Sequence, residues 1–236
     1  MSGATGRSEA ARDLALVVGV LLVAKAALLR FDALWSYAGP LSLLTALAVA
    51  HLRLRRSREA WSDLGLIHDG SRKRLALQTL AALVTTIVAG ATAQSLAVSV
   101  LGAPDAATQA IDARYQGRFD AVPGDPAAFV FWLAIAWIIG GFTEEMLFRG
   151  FLFARSERLL RGAPLAAGWA ILPQAILFGH QHLYYQGAAG WIANGVMATV
   201  SGLIYLGFGR RLWPLVLSHG LSNTLGLTVL FLSRPG

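Results

Sequence analysis

The chain has 236 residues, of which 56% are hydrophobic and 14% charged; a soluble domain carries about 25% charge, so the composition excludes an ordinary soluble protein. The net charge of +7 does not signal a nucleic-acid partner, because the arginines cluster beside long apolar runs, as orientation signals and contacts for anionic lipid heads do. Cysteine is absent, which removes disulfides and thiolate metal sites. Strand-like alternation is also absent, so the reading is all-α: a polytopic membrane helix bundle rather than a barrel.

Residues 1–12 read as a polar tail. Leu14 to Leu34 gives a first membrane helix. Lys25 interrupts it and is read as snorkelling towards the far interface, beside Arg30 and Asp32. Gly39-Pro40 breaks the chain before a second helix, Leu41 to Leu54, followed by a basic stretch from Arg53 to Arg58. Trp61 to Leu66 is expected to lie flat at the interface. Leu75 to Leu101 forms a third helix, and the connection from Gly102 to Pro126 is the longest polar one.

A fourth helix starts near Ala127 and runs without a charge to Thr143, then carries Glu144, Glu145 and Arg149 and continues to about Leu160, with Arg155, Arg158 and Arg161 at the interface. Pro164 opens a fifth helix that ends near His180 and His182. Ala188 to Phe208 is a sixth, and Trp213-Pro214 opens a seventh containing His219 and Asn223. With about seven spans and the amino terminus inside, every basic cluster falls on one face. Residues 1–126 then hold three helices and their loops, and residues 127–236 hold the remaining four.

Charges within a membrane segment are costly unless they face a partner or a wet cavity. Glu145 and Arg149 are four apart and can pair on a helix, while Glu144 projects about 100° away and stays free. His219 and Asn223 share a face, as do Phe178 and His182; His180 points to the opposite side and is expected to be replaceable. A carboxylate and histidines in a partly dry cavity suit hydrolysis. Glu144 would act as general base, with histidine and the Asn223 amide donating to an oxyanion. Glu144, His182 and His219 are also ordinary zinc ligands, although no His-Glu-x-x-His spacing forces a metal. The bland reading is a structural Glu145–Arg149 pair with hydrogen bonds between helices. One distance is awkward. Counted from Pro164, His182 lies about 27 Å along its helix, whereas Glu144 is about 16 Å from Arg155. The two meet only if the fifth helix tilts, starts below the interface or is broken.

The ordered set Glu144-Glu145-x-x-x-Arg149, Phe178-x-x-x-His182 and His219-x-x-x-Asn223 resembles the CPBP family of intramembrane proteases, also called the Abi family, which includes the CAAX prenyl endopeptidases. The resemblance covers about residues 127–233. It implies that Glu144 activates water, that Glu145 and Arg149 complete the motif, that His182 is a second catalytic group with Phe178 beside it, and that His219 and Asn223 stabilise the oxyanion. The family has been described both as metal-dependent and as glutamate-dependent. The expected activity is endoproteolysis near the carboxyl end of membrane-anchored protein or peptide substrates, in a bacterial plasma membrane with a cytoplasmic amino terminus. The competing readings are a non-hydrolytic scaffold or immunity-type protein and a proton-coupled transporter; paired internal repeats, which transporters often show, are not found.

Overall fold

A computed structural model describes residues 3–67 and 71–233, and among them there is no strand. Seven longer helical elements set the frame: α1 (Gly3–Leu28), α2 (Ala38–Arg56), α3 (Arg72–Leu101), α4 (Ala106–Gln116), α5 (Pro126–Leu159), α6 (Ile171–Gly207) and α7 (Trp213–Leu232). Their starts are written in the sequence. Ser71 accepts from the Arg74 amide ahead of α3, Asp105 from the Thr108 amide ahead of α4, and Asp125 from Ala127 and Ala128 ahead of α5. Each cap satisfies an amide that the first helical turn leaves without a partner.

Four stretches are long and apolar enough to cross a membrane: Arg72–Leu101, Pro126–Leu159, Ala166–Gly207 and Trp213–Leu232. The α1 and α2 helices, expected as spans, are not among them.

The centre of the bundle is α5, which contributes to both main core clusters. Leu147, Phe148, Phe151 and Leu152 pack against Val17 and Leu21 of α1, Leu43, Ala46, Ala50 and Leu54 of α2, and Ala175 and Phe178 of α6. Met146 and Phe153 of the same helix face Ala82 of α3, Tyr205 of α6 and Leu215 of α7. From Ala136 to Glu144 and again from Met146 to Leu152, α5 is wound with the wide turns of a π-helix. Such turns are rare and gather at functional sites.

The α6 helix is folded back on itself. Gly187 has φ 65° and ψ −165°, a left-handed backbone that glycine adopts at low cost. On either side the two arms pair in reverse order. Trp191 Nε1 donates to the Ile176 carbonyl at 3.3 Å, and Gln174 Nε2 to the Ala198 carbonyl at 3.4 Å. Nearer the open end, a Cβ on Gly202 would sit 2.7 Å from the Ile171 side chain. The hairpin resolves the awkward distance noted above, because its first arm begins at Ile171 rather than at Pro164. His182 is eleven residues beyond Ile171, about 16 Å along the first arm at the α-helical rise, and lines one cavity with Glu144.

Two expectations about charge are overturned. Arg155 is not on the protein surface; its side chain is fully buried, with Nε 2.8 Å from Asp13 of α1 and Nη2 2.6 Å from Glu59. Asp13, equally buried, also meets Arg53 of α2 at 2.5 Å, and Arg158 joins Glu59. A charge this deep requires close partners, so the arginines that read as surface signals tie α1, α2 and α5 together. Burial works against ionising Glu59, but the hydrogen bonds from Arg158 and Arg155 outweigh it and hold the carboxyl below its usual range. Its share of the stability is therefore present at neutral pH and lost as the pH falls through that lowered value. Lys25 is the second case. It is 6% exposed and turned inward, not towards an interface. The Trp61–Leu64 turn likewise packs on protein: Leu64 is buried, Trp61 donates to His51 Nδ1 at 3.1 Å, and the Leu64 carbonyl accepts from Tyr205 at 2.8 Å.

The tightest point of the hairpin supplies a test. A Cβ on Gly179 would lie 2.4 Å from the Trp191 carbonyl oxygen, so Gly179→Ala must push the arms apart, at a cost of about 1–3 kcal/mol for overpacking. The expected outcome is a lower thermal unfolding midpoint in detergent. A midpoint equal to wild type would show that the arms are not in contact there.

Candidate active site

Three helices build the site, and glycine lets them approach. A Cβ on Gly140 of α5 would lie 2.4 Å from Asn223 Nδ2 of α7, and one on Gly141 would lie 3.3 Å from the Gly220 backbone. Gly220 in turn carries the Trp137 ring, whose nearest atom is 2.5 Å from the place of its missing Cβ. Small residues are what bring membrane helices to backbone contact. Trp137 Nε1 then fixes the register by donating to Thr224 at 3.0 Å.

Within this seam the two adjacent glutamates have different surroundings. Glu145 is 2% exposed. Its Oε1 meets Arg149 Nη1 at 3.2 Å, the pairing expected from the four-residue spacing, and also His219 Nδ1 at 2.9 Å. The Arg149 guanidinium lies over the Phe178 ring at 4.7 Å. Glu144 makes no hydrogen bond; its nearest charged neighbour is His219 Nε2, at 3.8 Å from Oε2. A carboxylate thus faces each nitrogen of the His219 ring, one bonded and one free.

His182 enters from the first arm of α6. Its Nδ1 is 2.9 Å from the Phe178 carbonyl, an acceptor only, so Nδ1 carries the proton and Nε2 presents a lone pair. The Phe178 and His182 rings stand 5.0 Å apart. His180, two residues earlier, is exposed. Asn223 Nδ2 reaches the Ala136 carbonyl at 3.4 Å. Of the residues singled out in the sequence, Glu144, His182, His219 and Asn223 line one cavity of about 550 Å³, while Glu145 and Arg149 lie behind it. Among the described residues no three His, Cys, Asp or Glu side chains are grouped to hold a metal ion; the His219 Nδ1 bond to Glu145 leaves Nε2 as the ring nitrogen that faces the cavity.

Sequence reasoning missed several cavity residues. Lys25 of α1, Tyr115 and Arg118 at the end of α4, and Trp132, Gln181, Tyr184 and Tyr185 all line it. Tyr115 stacks on Tyr185 with ring centroids 3.7 Å apart, so α4 is a helical cover, although the sequence suggested only a polar loop. Arg118 Nη1 ties that cover to the Ser36 carbonyl at 3.2 Å. The signal available for Lys25 was its position, a lone cation in an apolar run, which is a functional pointer by default.

Apolar helices of membrane length around a buried, partly charged cavity define an integral membrane protein with an internal polar site. Residues 126–225 match the family described as type II CAAX prenyl endopeptidase Rce1-like, to which this segment is therefore similar. No curated protein and no solved structure matches the chain. The matched segment contains all seven motif residues and implies a protease; α1, α2 and α3 lie outside it.

The buried pair behind the cavity should behave as a unit. Glu145→Ala or Arg149→Ala leaves an uncompensated charge, at a cost of about 3–5 kcal/mol. Each single variant is expected to unfold at a clearly lower temperature in detergent, and the double substitution Glu145→Met with Arg149→Met to lose less than the sum. Unchanged midpoints for both single variants would place the pair in water.

Proposed function

We propose that the chain is an intramembrane endopeptidase that hydrolyses a peptide bond near the carboxyl-terminal anchor or sorting signal of membrane-associated substrates. The observation that carries this reading is Glu144, unpaired at the cavity wall and 3.8 Å from His219 Nε2, with His182 and Asn223 around the same space. Glu144 takes a proton from water, and the resulting hydroxide attacks the scissile carbonyl carbon. The His182 Nε2 lone pair accepts the water's other hydrogen and aims the nucleophile. The oxyanion accepts from the Asn223 amide and from protonated His219 Nε2, whose ring is held by the Nδ1 bond to Glu145. Collapse of the tetrahedral intermediate breaks the C–N bond, and Glu144 returns its proton to the leaving amine.

The accompanying topology is seven membrane helices with the amino terminus inside. Support comes from the reversal at Gly187, which makes α6 two arms, and from the basic residues gathered around the connection between α2 and α3, at Arg161 just beyond α5 and at Arg210 and Arg211. Residues 127–236 carry the chemistry, and residues 1–126 frame it within one membrane domain.

Glu144→Gln keeps the shape but cannot take a proton; the expected result is no detectable cleavage by a purified variant that unfolds at the wild-type temperature. Wild-type turnover in that variant would remove the general base. The histidines give an independent check on one substrate. His182→Ala should lose most activity, and His180→Ala should stay within about tenfold, equivalent to roughly 1.4 kcal/mol of barrier. An inactive His180 variant beside an active His182 variant would refute the assignment.

A further inference from the structure

Behind the main cavity lie two further chambers to which the hydrolytic step gives no role. The inner one, of about 180 Å³, reaches from His182, His219 and Asn223, which also line the main cavity, back to Ser201 and Ser218. The outer one, of about 500 Å³, lies between α3, α4 and α6. Thr86, Gln186, Asn194 and Met197 line both chambers, so the two join there. Gln94, Gln109 and Asp112 also line the outer chamber, and both glutamines are exposed. The series is a side passage from the surface beside α4 to the catalytic groups. A partition separates it from the main cavity. Tyr185 is 7% exposed and lines the main cavity and both chambers. Its ring stacks on Tyr115 of α4, so the helix that covers the main cavity also holds the partition.

The lining of the passage suits water. The Thr86, Ser201 and Ser218 hydroxyls each donate to a carbonyl of their own helix, which leaves their lone pairs as acceptors. Asn194 Nδ2 donates to Gln186 Oε1 at 2.6 Å and to the Gly190 carbonyl at 2.8 Å. Asn194 Oδ1 then remains an acceptor and Gln186 Nε2 a donor. A small molecule that both donates and accepts fits this mixture, and an apolar side chain does not. At about 180 Å³ the inner chamber is smaller than the roughly 300–1,000 Å³ of pockets that hold organic ligands. It is far larger than the roughly 10–15 Å³ that a single water needs. A peptide lying in the main cavity covers Glu144 from that side, yet each turnover consumes one water. We infer that the side passage delivers the water that Glu144 activates while the substrate occupies the main cavity; this deepens the peptidase reading and rests on it. Water enters between α3, α4 and α6, passes the Gln186–Asn194 pair, and meets His182 and His219 from behind the partition. Substrate and water then use opposite sides of Tyr185, and the water path stays open when the substrate path is full. The α3 helix, outside the matched segment, supplies one wall of this path.

The chain has no cysteine, so a single introduced thiol reports on the passage without background. The test uses the full chain in detergent, carrying Thr86→Cys. A small cationic methanethiosulfonate travels through water and not through an apolar interior, and it reacts with the thiolate. The expected result is modification of the folded protein. A thiol that reacts only after unfolding shows a dry chamber and overturns the passage. The same thiol then serves as a plug, with turnover measured on one peptide that wild type cleaves. A bulky methanethiosulfonate on Thr86→Cys should lower kcat by about tenfold against the unmodified variant, with KM changed by less than about twofold, because the substrate side is untouched. Removing the label with dithiothreitol should restore kcat, which separates plugging from unfolding. An unaltered kcat in the modified protein overturns delivery through the passage and leaves the peptidase. A raised KM at constant kcat overturns it in favour of a substrate subsite. Modification of folded Thr86→Cys in a chain that hydrolyses no peptide removes the peptidase and the delivery role with it, and leaves only a wet passage.

Discussion

The arrangement depends on one buried carboxylate. Glu145 accepts from Arg149 one turn further along its own helix and from His219 on α7. An isolated carboxylate would not stay ionised in such surroundings, and an isolated guanidinium would be equally unfavourable. Together, with the Phe178 ring under the cation, they form a neutral block to which a histidine is bound. That bond selects the His219 nitrogen that faces the cavity, and hence where Glu144 can interact. The neighbouring residue differs in role because it differs in direction. Glu144 is turned to the cavity and left without a hydrogen bond, so two adjacent glutamates divide into one that orients and one that is available.

The wide turns of α5 belong to the same construction. A helix with a regular α-helical ladder presents residues four apart on one stripe. Here the stretch from Ala136 to Leu152 is wound more loosely, while its glycines give up the side-chain volume that would keep α7 away. The Ala136 carbonyl, at the start of the loosened stretch, accepts from Asn223.

Much of the site was legible because its residues break the surrounding composition. Glu144, Glu145, Arg149, His182, His219 and Asn223 are polar in apolar runs, and helical spacing alone separated His182 from His180. What was not legible depended on contacts between distant segments. Pairing Asp13 with Arg155 spans 142 residues, and no local pattern distinguishes that arginine from the exposed Arg161 that follows it. Lys25 was misread for the same reason, since a cation near a helix end can snorkel or turn inward and only the partner, Gln181, decides. The α4 helix escaped notice because its face towards the cavity is made by Tyr115, not by a run of aliphatic residues. The reversal within α6 was visible as Gly187, but a glycine between apolar runs marks a loop and a hairpin equally well.

The seam of Gly140, Gly141 and Gly220 has a further consequence. Side chains that separate helices can change rotamer, and the gap they maintain varies with them. At Gly141, which rests against the Gly220 and Val216 main chain, there are no rotamers to sample, and the spacing at that point is fixed by atomic radii alone. The gap between α5 and α7, across which Glu144 faces His219, is therefore insulated from repacking elsewhere in the bundle. The lipid-facing and cavity-lining side chains are free to diverge as the environment changes, while the distance between Glu144 and His219 stays the same.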